Sequence, residues 1–380
     1  MQLRDKLPRS DKKQRSVIFL KNLKIVSLFD GISCARVAIE RAGYAVSAYT
    51  AFEIDKYAKA ISRYNFPDIE QHGNVLDANF SRYAGYDFVM GGSPCTFWSI
   101  AKTNREVDKS GMGWALFMSF VEAVRLIKPK YFLYENVASM PNNIKNYISQ
   151  ELGCNPVLIN SALVSAQSRK RLYWTNIFDI VQPADRGILL KDILQSGIAY
   201  QDKSHCITAS YNGAVFWNSL ERNQRSMIAE PVGAALRTRA DTSGKYKRLE
   251  VRQDGKTNAL TTVQTDSVIC TPVRIGSIGT GGQGCRIYSV QGKTVSLMAN
   301  GGGRGAKTGL YKINLPDGDY TIRKLTTIEA ERCQTLPDNY TALGIDEKGT
   351  VINVSDTQRY KTIGNGWTVE VIAHILKHLR

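Results

Sequence analysis

The sequence is short of acid. Its 34 Asp and Glu stand against 50 Lys and Arg, a formal net charge of +16 at pH 7 in 380 residues. From Ser267 to Pro316 there is no acidic residue, beside six Lys or Arg and 11 glycines. A balance of that sign points to a polyanionic partner, nucleic acid first. Other shortages exclude whole classes. The seven cysteines, at 34, 95, 154, 206, 270, 285 and 333, contain no CxxC pair, which removes the zinc and redox motifs of that spacing. An odd, scattered set fits reduced thiols in a cytosol. Of the four histidines, His374 and His378 share a helix face without an evident third ligand, so no metal is expected. No run of 18 apolar residues is present to span a membrane. Residues 1–15 are polar and basic, without the apolar core of a secretory signal.

What is present begins with alternating strand and helix signals. Lys24–Phe29 reads as a short parallel-sheet strand. Asp30-Gly31-Ile32-Ser33-Cys34 turns the chain into a helix, Ala35–Ala42, with Val37, Ala38 and Ile39 inward and Gly43 as its stop. The next strand, Val46–Phe52, ends in Glu53. An acid at the end of the second strand, about twenty residues past the first turn, is the ribose-binding position of nucleotide-binding α/β folds. The turn itself lacks GxGxxG. Tyr57–Tyr64 continues as a helix, and Gly73–Asp77 sits where a third strand ends.

Tyr86–Met90 reads as a buried strand that runs into Gly91-Gly92-Ser93-Pro94-Cys95-Thr96-Phe97-Trp98-Ser99. Cys95 is thereby presented on a Gly-Pro turn past a strand end, where open α/β sheets bind ligands. By itself such a cysteine reads equally as a packed core thiol. Met112–Ile127 has a helical apolar pattern, ended by Pro129. The strand Tyr131–Tyr134 delivers Glu135-Asn136-Val137, and Leu158–Val164 reads as a strand before Gln167-Ser168-Arg169-Lys170-Arg171. In an extended segment Arg169 and Arg171 share a face and reach one site. The bland alternative is a solvated basic stretch. This alternation predicts a doubly wound α/β sheet.

After about Pro183 the composition changes. A loop-rich, mainly β region with a basic surface follows, including Gly301-Gly302-Gly303-Arg304-Gly305. Val251–Leu260 and Val290–Leu297 echo each other, both reading as strand, Gly turn, strand. Leu325–Leu336 reads as a helix stopped by Pro337, Lys361–Gly366 as a turn, and Trp367–Leu379 as a helix. At this length two domains are expected. The division is a basic arm over 1–23, one α/β domain over 24–183 and 321–380, and a smaller domain over 184–320.

In this order the motifs resemble those of the DNA (cytosine-5) methyltransferases, bacterial or phage type, over nearly all of the chain from Lys24. Phe29 to Cys34 is similar to the family's first motif, Pro94-Cys95 to its nucleophile motif and Glu135-Asn136-Val137 to its ENV motif. Gln167-x-Arg169-x-Arg171 matches QxRxR, and Arg323-x-Leu325-Thr326 to Pro337-Asp338 and Gly364-Asn365 resemble the last two motifs. The resemblance implies a Rossmann-like S-adenosylmethionine-dependent methyltransferase domain with a mainly β target-recognition domain. It implies transfer of methyl from S-adenosyl-L-methionine, leaving S-adenosyl-L-homocysteine, to cytosine C5 of double-stranded DNA at a specific sequence. The protein is then a cytoplasmic monomer of a bacterial or phage-infected cell.

The implied cofactor residues are Phe29, Asp30, Gly31, Ile32, Ser33 and Cys34 in the first turn, with Glu53 on the ribose and Ile54 facing Phe29 across the adenine. Asn74, Val75, Pro94, Leu116, Asn365 and Gly366 complete that set. Ser99, Arg304 and Lys307 are implied DNA contacts. Cys95, Glu135, Arg169 and Arg171 are the implied catalytic groups. Four departures stand out: Ser33 and Cys34 replace later glycines, Asn74 replaces the Asp that meets the adenine amino group, Thr96 replaces a frequent Gln, and Gly366-Trp367 replaces a common Ser-Val.

The chemistry explains these residue types. Cytosine C5 is a poor nucleophile until a thiolate adds to C6. That addition drives charge toward N3 and O2, which a protonated Glu135 and the arginines would meet. The base must leave the duplex to be reached. A group that removes the C5 proton is not evident, and a water would serve. A tRNA cytosine methyltransferase with the same core is the first rival, disfavoured by the long basic insert. A non-catalytic DNA-binding relative is the second, disfavoured because Cys95, Glu135 and both arginines are present.

Overall fold

The structure is a computed structural model, described over residues 22–99, 104–199, 201–214, 224–231, 233–241, 244–251 and 320–380, with short strands at 268–269, 274–277, 286–288 and 310–311. The basic arm up to residue 21, Arg304, Lys307, the Gly301–Gly305 run and nearly all of both echoed segments lie outside the described residues.

Seven strands form the central sheet: β1 (Asn22–Leu28), β2 (Ala45–Phe52), β3 (Glu70–His72), β4 (Phe88–Gly91), β5 (Tyr131–Val137), β6 (Val157–Asn160) and β7 (Lys170–Thr175). Their order is β3-β2-β1-β4-β5-β7-β6. The pairs from β3 to β5 are parallel, and β7 runs antiparallel to both its neighbours. The chain steps from β1 toward β3 and then reverses to β4, which makes the carboxyl ends of β1 and β4 the switch point where such sheets bind ligands.

Alternation along the strands builds two cores. Leu23 and Ile25 of β1, Phe88 and Met90 of β4, and Leu133 of β5 face one side. There they meet α1 (Cys34–Arg41), α2 (Lys56–Asn65) and a C-terminal helix, Val369–Leu376. Val26, Leu28, Val89, Phe132 and Tyr134 face the other side and meet α3 (Met112–Ile127) and α4 (Asn142–Leu152). Period-two alternation with both faces buried is what a parallel sheet between helix layers requires.

The helix over Met112–Ile127 and the strand positions agree with the sequence pattern, with two differences, in Leu158–Val164 and Lys361–Gly366. In α1, Ala38 and Ile39 are buried as expected, Cys34 and Ala35 join them, and Val37 packs half-buried on the same core. The strand expected over Leu158–Val164 stops at Asn160, whose side chain accepts from the Ala162 N–H and starts a 3-10 turn. Gly73–Asp77 follows β3 as a loop and 3-10 turn, as a strand ending there requires. The turn expected over Lys361–Gly366 is helical, part of Asp356–Asn365. Tertiary contact overrides the glycine there: a Cβ at Gly364 would lie 2.2 Å from the Thr208 carbonyl carbon, so the bare helix face is what lets segment 208–209 approach.

The chain then continues through β8 (Ile198–Ala199), β9 (Met227–Pro231), an antiparallel hairpin β10 (Gly233–Asp241) and β11 (Gly244–Val251), and short strands β12 (Val268–Ile269), β13 (Arg274–Ser277), β14 (Arg286–Tyr288) and β15 (Leu310–Tyr311). It returns through β16 (Tyr320–Lys324), which pairs with β9, into α5 (Thr327–Cys333), strands β17 (Leu343–Ile345) and β18 (Val351–Asn353), α6 (Asp356–Asn365) and α7 (Val369–Leu376). A third core joins Leu190, Ile207, Tyr211 and Ile228 to Leu325, Ala330, Tyr360 and Ile363. The segment entering the β region therefore packs on the helices that follow it. No helix among the described residues is long and apolar enough to cross a membrane.

Candidate active site

One pocket lies over the switch point. At its first end, the turn after β1 has three residues in left-handed backbone, Phe29 (φ 57), Gly31 (φ 62) and Ser33 (φ 60). Only the glycine adopts that conformation without steric penalty. Gly31 N–H donates to Glu53 Oε2 at 2.8 Å, and the Ile54 and Asp55 N–H groups donate to Oε1 at 2.8 and 2.7 Å. Burial pushes the Glu53 carboxyl up, against those three bonds, which favour its ionised form. Phe29, Gly31, Glu53, Ile54, Asn74, Val75, Pro94, Leu116 and Asn365 all line the pocket. Ile54 is 77% exposed, an apolar side chain left uncovered at the rim. Asn74 Oδ1 accepts from the Leu76 N–H at 3.2 Å and so caps the 3-10 turn that carries Val75.

Four residues expected at the cofactor stand behind this wall. Asp30 accepts from the hydroxyls of Ser33 and Tyr49, both at 2.6 Å. Ile32 and Ser33 are fully buried, and the Cys34 thiol is pushed up to about 12 by burial. The turn pairs its own polar groups with one another, as polar groups taken out of water require. Gly366 is likewise placed behind the lining, its carbonyl accepting from Arg169 and Gln334.

At the second end, Gly92, Pro94, Cys95, Thr96, Glu135, Arg169, Arg171 and Trp367 line the same pocket. Asn136 Nδ2 donates to the Ser93 carbonyl at 3.1 Å, and Ser93 shares a 2.6 Å hydrogen bond with the Tyr134 hydroxyl. Both bonds are buried and tie the turn bearing Cys95 to β5. Ser99 donates its N–H to the Cys95 carbonyl within a short 3-10 turn and lies outside the lining. Burial pushes the Cys95 thiol up from its ordinary value; the Arg171 cation opposes this and the Glu135 carboxylate adds to it.

Glu135 Oε1 pairs with Arg171 Nε at 2.9 Å, and Oε2 accepts from the Trp367 indole N–H at 2.9 Å. This close fit needs Gly92, because a Cβ there would come within 2.8 Å of the Glu135 carbonyl and 2.9 Å of Oε2. The two arginines do different things. Arg169 is 5% exposed and donates to the carbonyls of Ile207, Gly364 and Gly366 at 3.0 to 3.3 Å. It binds the entry of the β region to the end of α6. Arg171 holds Glu135.

Sequence reasoning missed Trp367 and Cys206. Cys206 Sγ accepts from Arg169 at 3.2 Å and faces Arg171 at 3.9 Å. Burial alone would raise its thiol, but the two guanidiniums hold it below the ordinary value. Nothing local marks Cys206. Trp367 was marked only by its place beside the Gly364-Asn365 motif.

A Rossmann-like sheet with a braced acid and a cysteine–carboxylate–arginine cluster on either side of its switch point defines an α/β methyltransferase. Solved structures of that kind superpose on it. The Entamoeba histolytica methyltransferase EhMeth gives a TM-score of 0.56 at 14% identity, covering 94% of this chain and 97% of that one. A mutant of Spodoptera frugiperda DNMT2 gives 0.52 at 16% identity, covering 94% and 99%. At such identities they speak for the fold. In sequence, the type II methyltransferase M.HhaI of Haemophilus parahaemolyticus is 27% identical over 358 residues, 94% of each chain. The orphan methyltransferase M.SPRI of Bacillus phage SPR is 24% identical over 442 residues, covering 94% of this chain and 97% of its own. The family described as C-5 cytosine-specific DNA methylase matches residues 23–380, and the chain belongs to that family. Its enzyme class is DNA (cytosine-5-)-methyltransferase.

Proposed function

We propose that the protein methylates cytosine C5 in duplex DNA at a specific sequence, using S-adenosyl-L-methionine. The observation that carries this reading is the placement of Cys95, the Glu135–Arg171 pair and Glu53 in one pocket.

The first end of the pocket fits an adenosyl group. Glu53, braced by three N–H groups, keeps acceptor capacity for ribose hydroxyls. Phe29 and the exposed Ile54 offer apolar faces to an adenine, and Asn74, Val75, Leu116, Pro94 and Asn365 border the rest. Asp30, Ile32, Ser33 and Cys34 shape the turn from behind. Bound there, S-adenosyl-L-methionine supplies an electrophilic methyl group.

At the second end the chain's own residues activate the base. Cys95 Sγ forms a bond to C6, the C5–C6 π pair becomes the C4–C5 π bond of an enamine, and the C4–N3 π pair moves onto N3. Glu135 hands a proton to N3 as charge arrives there, and Arg171 donates to O2. Arg169 keeps the floor rigid through its three carbonyls. C5 would then take the methyl group, with S-adenosyl-L-homocysteine as the leaving group, after which loss of the C5 proton, expulsion of the Cys95 sulfur and return of the N3 proton to Glu135 restore the aromatic ring. The target base must first be flipped out of the duplex.

Residues 24–183 and 321–380 act as the catalytic domain and 184–320 reads the target. Ser99, Arg304 and Lys307 contact DNA. The protein works as a monomer in the cytoplasm of a bacterial or phage-infected cell. Incubation with labelled S-adenosylmethionine and either duplex DNA or tRNA tests the reading. Label in DNA supports it, label only in tRNA replaces the substrate, and label in neither leaves a binding protein. Bisulfite sequencing of DNA from expressing cells then gives the site.

A further inference from the structure

We infer that Trp367 is a positioning residue that fixes Glu135 in the pocket wall. The inference rests on the reading of Glu135 given above. Trp367 follows α6 directly and is half-buried in the pocket wall. Its indole N–H donates to Glu135 Oε2 at 2.9 Å, across 232 residues of sequence. Its backbone meets the Cys34 thiol in the turn that follows β1. The preceding residue is equally close, since a Cβ at Gly366 would lie 3.0 Å from Cys34 Sγ. One residue thus touches both the cofactor turn and the carboxylate.

The physical need is clear from the carboxylate's surroundings. Arg171 Nε pairs with Oε1 at 2.9 Å. Without a second donor, Glu135 turns about that single bond, and Oε2 loses its fixed direction. A tryptophan suits the task because its N–H donates and never accepts, so it cannot compete with the base for a proton. The ring is planar and stiff, and Gly92 leaves room for the pair: a Cβ there would lie 3.4 Å from the Trp367 Nε1.

The experiment is a kinetic double-mutant cycle on the full chain, with Trp367→Phe and Glu135→Gln. Trp367→Phe should lower kcat about tenfold or more, the usual effect of losing a bond to a charged group. KM for S-adenosylmethionine should stay within about threefold, because the aromatic wall remains. In the Glu135→Gln background the same change should cost less than about twofold, since residues acting through one group do not add. Undiminished kcat, or a loss that multiplies with that of Glu135→Gln, overturns the inference. So does a change confined to KM. Should the Phe variant melt early, the tryptophan isostere with sulfur in place of the ring N–H tests the same bond in an unchanged shape. Failure of the underlying reading shows separately, as full methyl transfer by Glu135→Gln alone.

Discussion

At the cofactor end of the pocket, Glu53 is held by backbone N–H groups no more than 22 residues away. At the base end, Glu135 is held by side chains, one of them 232 residues away. Backbone donors are fixed by the path of the chain and survive every substitution except proline. Side-chain donors come from separate elements and exist only when the sheet, α6 and the β-region entry are all assembled. Damage at the first end should therefore appear in cofactor affinity. Damage at the second should appear in turnover.

Five changes break or sharpen this contrast, and the largest is at the base end. Cys95→Ser removes the proposed nucleophile and should abolish transfer while leaving cofactor binding intact by calorimetry. Turnover within tenfold of the parent would remove Cys95 from the mechanism. Glu135→Gln should slow transfer by roughly 10²–10⁴, the range for a lost general acid, with DNA affinity largely kept. A fall in affinity alone would make Glu135 a binding residue.

Glu53→Ala carries the contrast to the other end. It should raise KM for S-adenosylmethionine by about 10–100-fold, as for lost bonds to a charged acceptor, with kcat at saturation nearly unchanged. An equal fall in kcat would show the two ends to be coupled. Gly92→Ala should crowd Glu135 without touching its bonding groups, costing about 1–3 kcal/mol of stability and lowering kcat more than cofactor affinity. Thermal melts beside kinetics separate the two effects, and an unchanged kcat would show that Glu135 tolerates displacement.

The smallest change falls in the acid-poor stretch of the sequence. Arg304→Ala or Lys307→Ala should weaken binding to all duplexes alike and reduce the slope of log affinity against log salt by about 0.9 per phosphate contact. If one of them reads a guanine edge instead, roughly 1–3 kcal/mol disappears at one base position. Neither change should alter cofactor affinity without DNA. An unchanged salt slope and unchanged site choice would place the reading surface elsewhere in the insert.

The α/β core was legible because its signals are local. Most of its strands are short apolar runs, Gly43 and Pro129 mark helix ends, and Glu53 follows β2 at the position a nucleotide fold requires. Lys361–Gly366 was misread for the same reason. A glycine followed by Asn-Gly signals a turn in isolation, and only packing against Thr208 and Ala209 makes it helix. Arg169 and Arg171 were correctly given one face of an extended segment, but alternation says nothing about partners. One guanidinium ended on three backbone carbonyls and the other on Glu135.

The sequence by itself determined the sheet, the family pattern and the residue types the chemistry needs. Those follow from periodicity, turn residues and motif order, which are properties of neighbours along the chain. Only the tertiary structure decided which donors meet Glu135, that Cys206 sits between two guanidiniums, and that Asp30 and Ser33 turn inward. These depend on distances between residues far apart in sequence, and a hydrogen bond is lost within a few tenths of an ångström beyond its range.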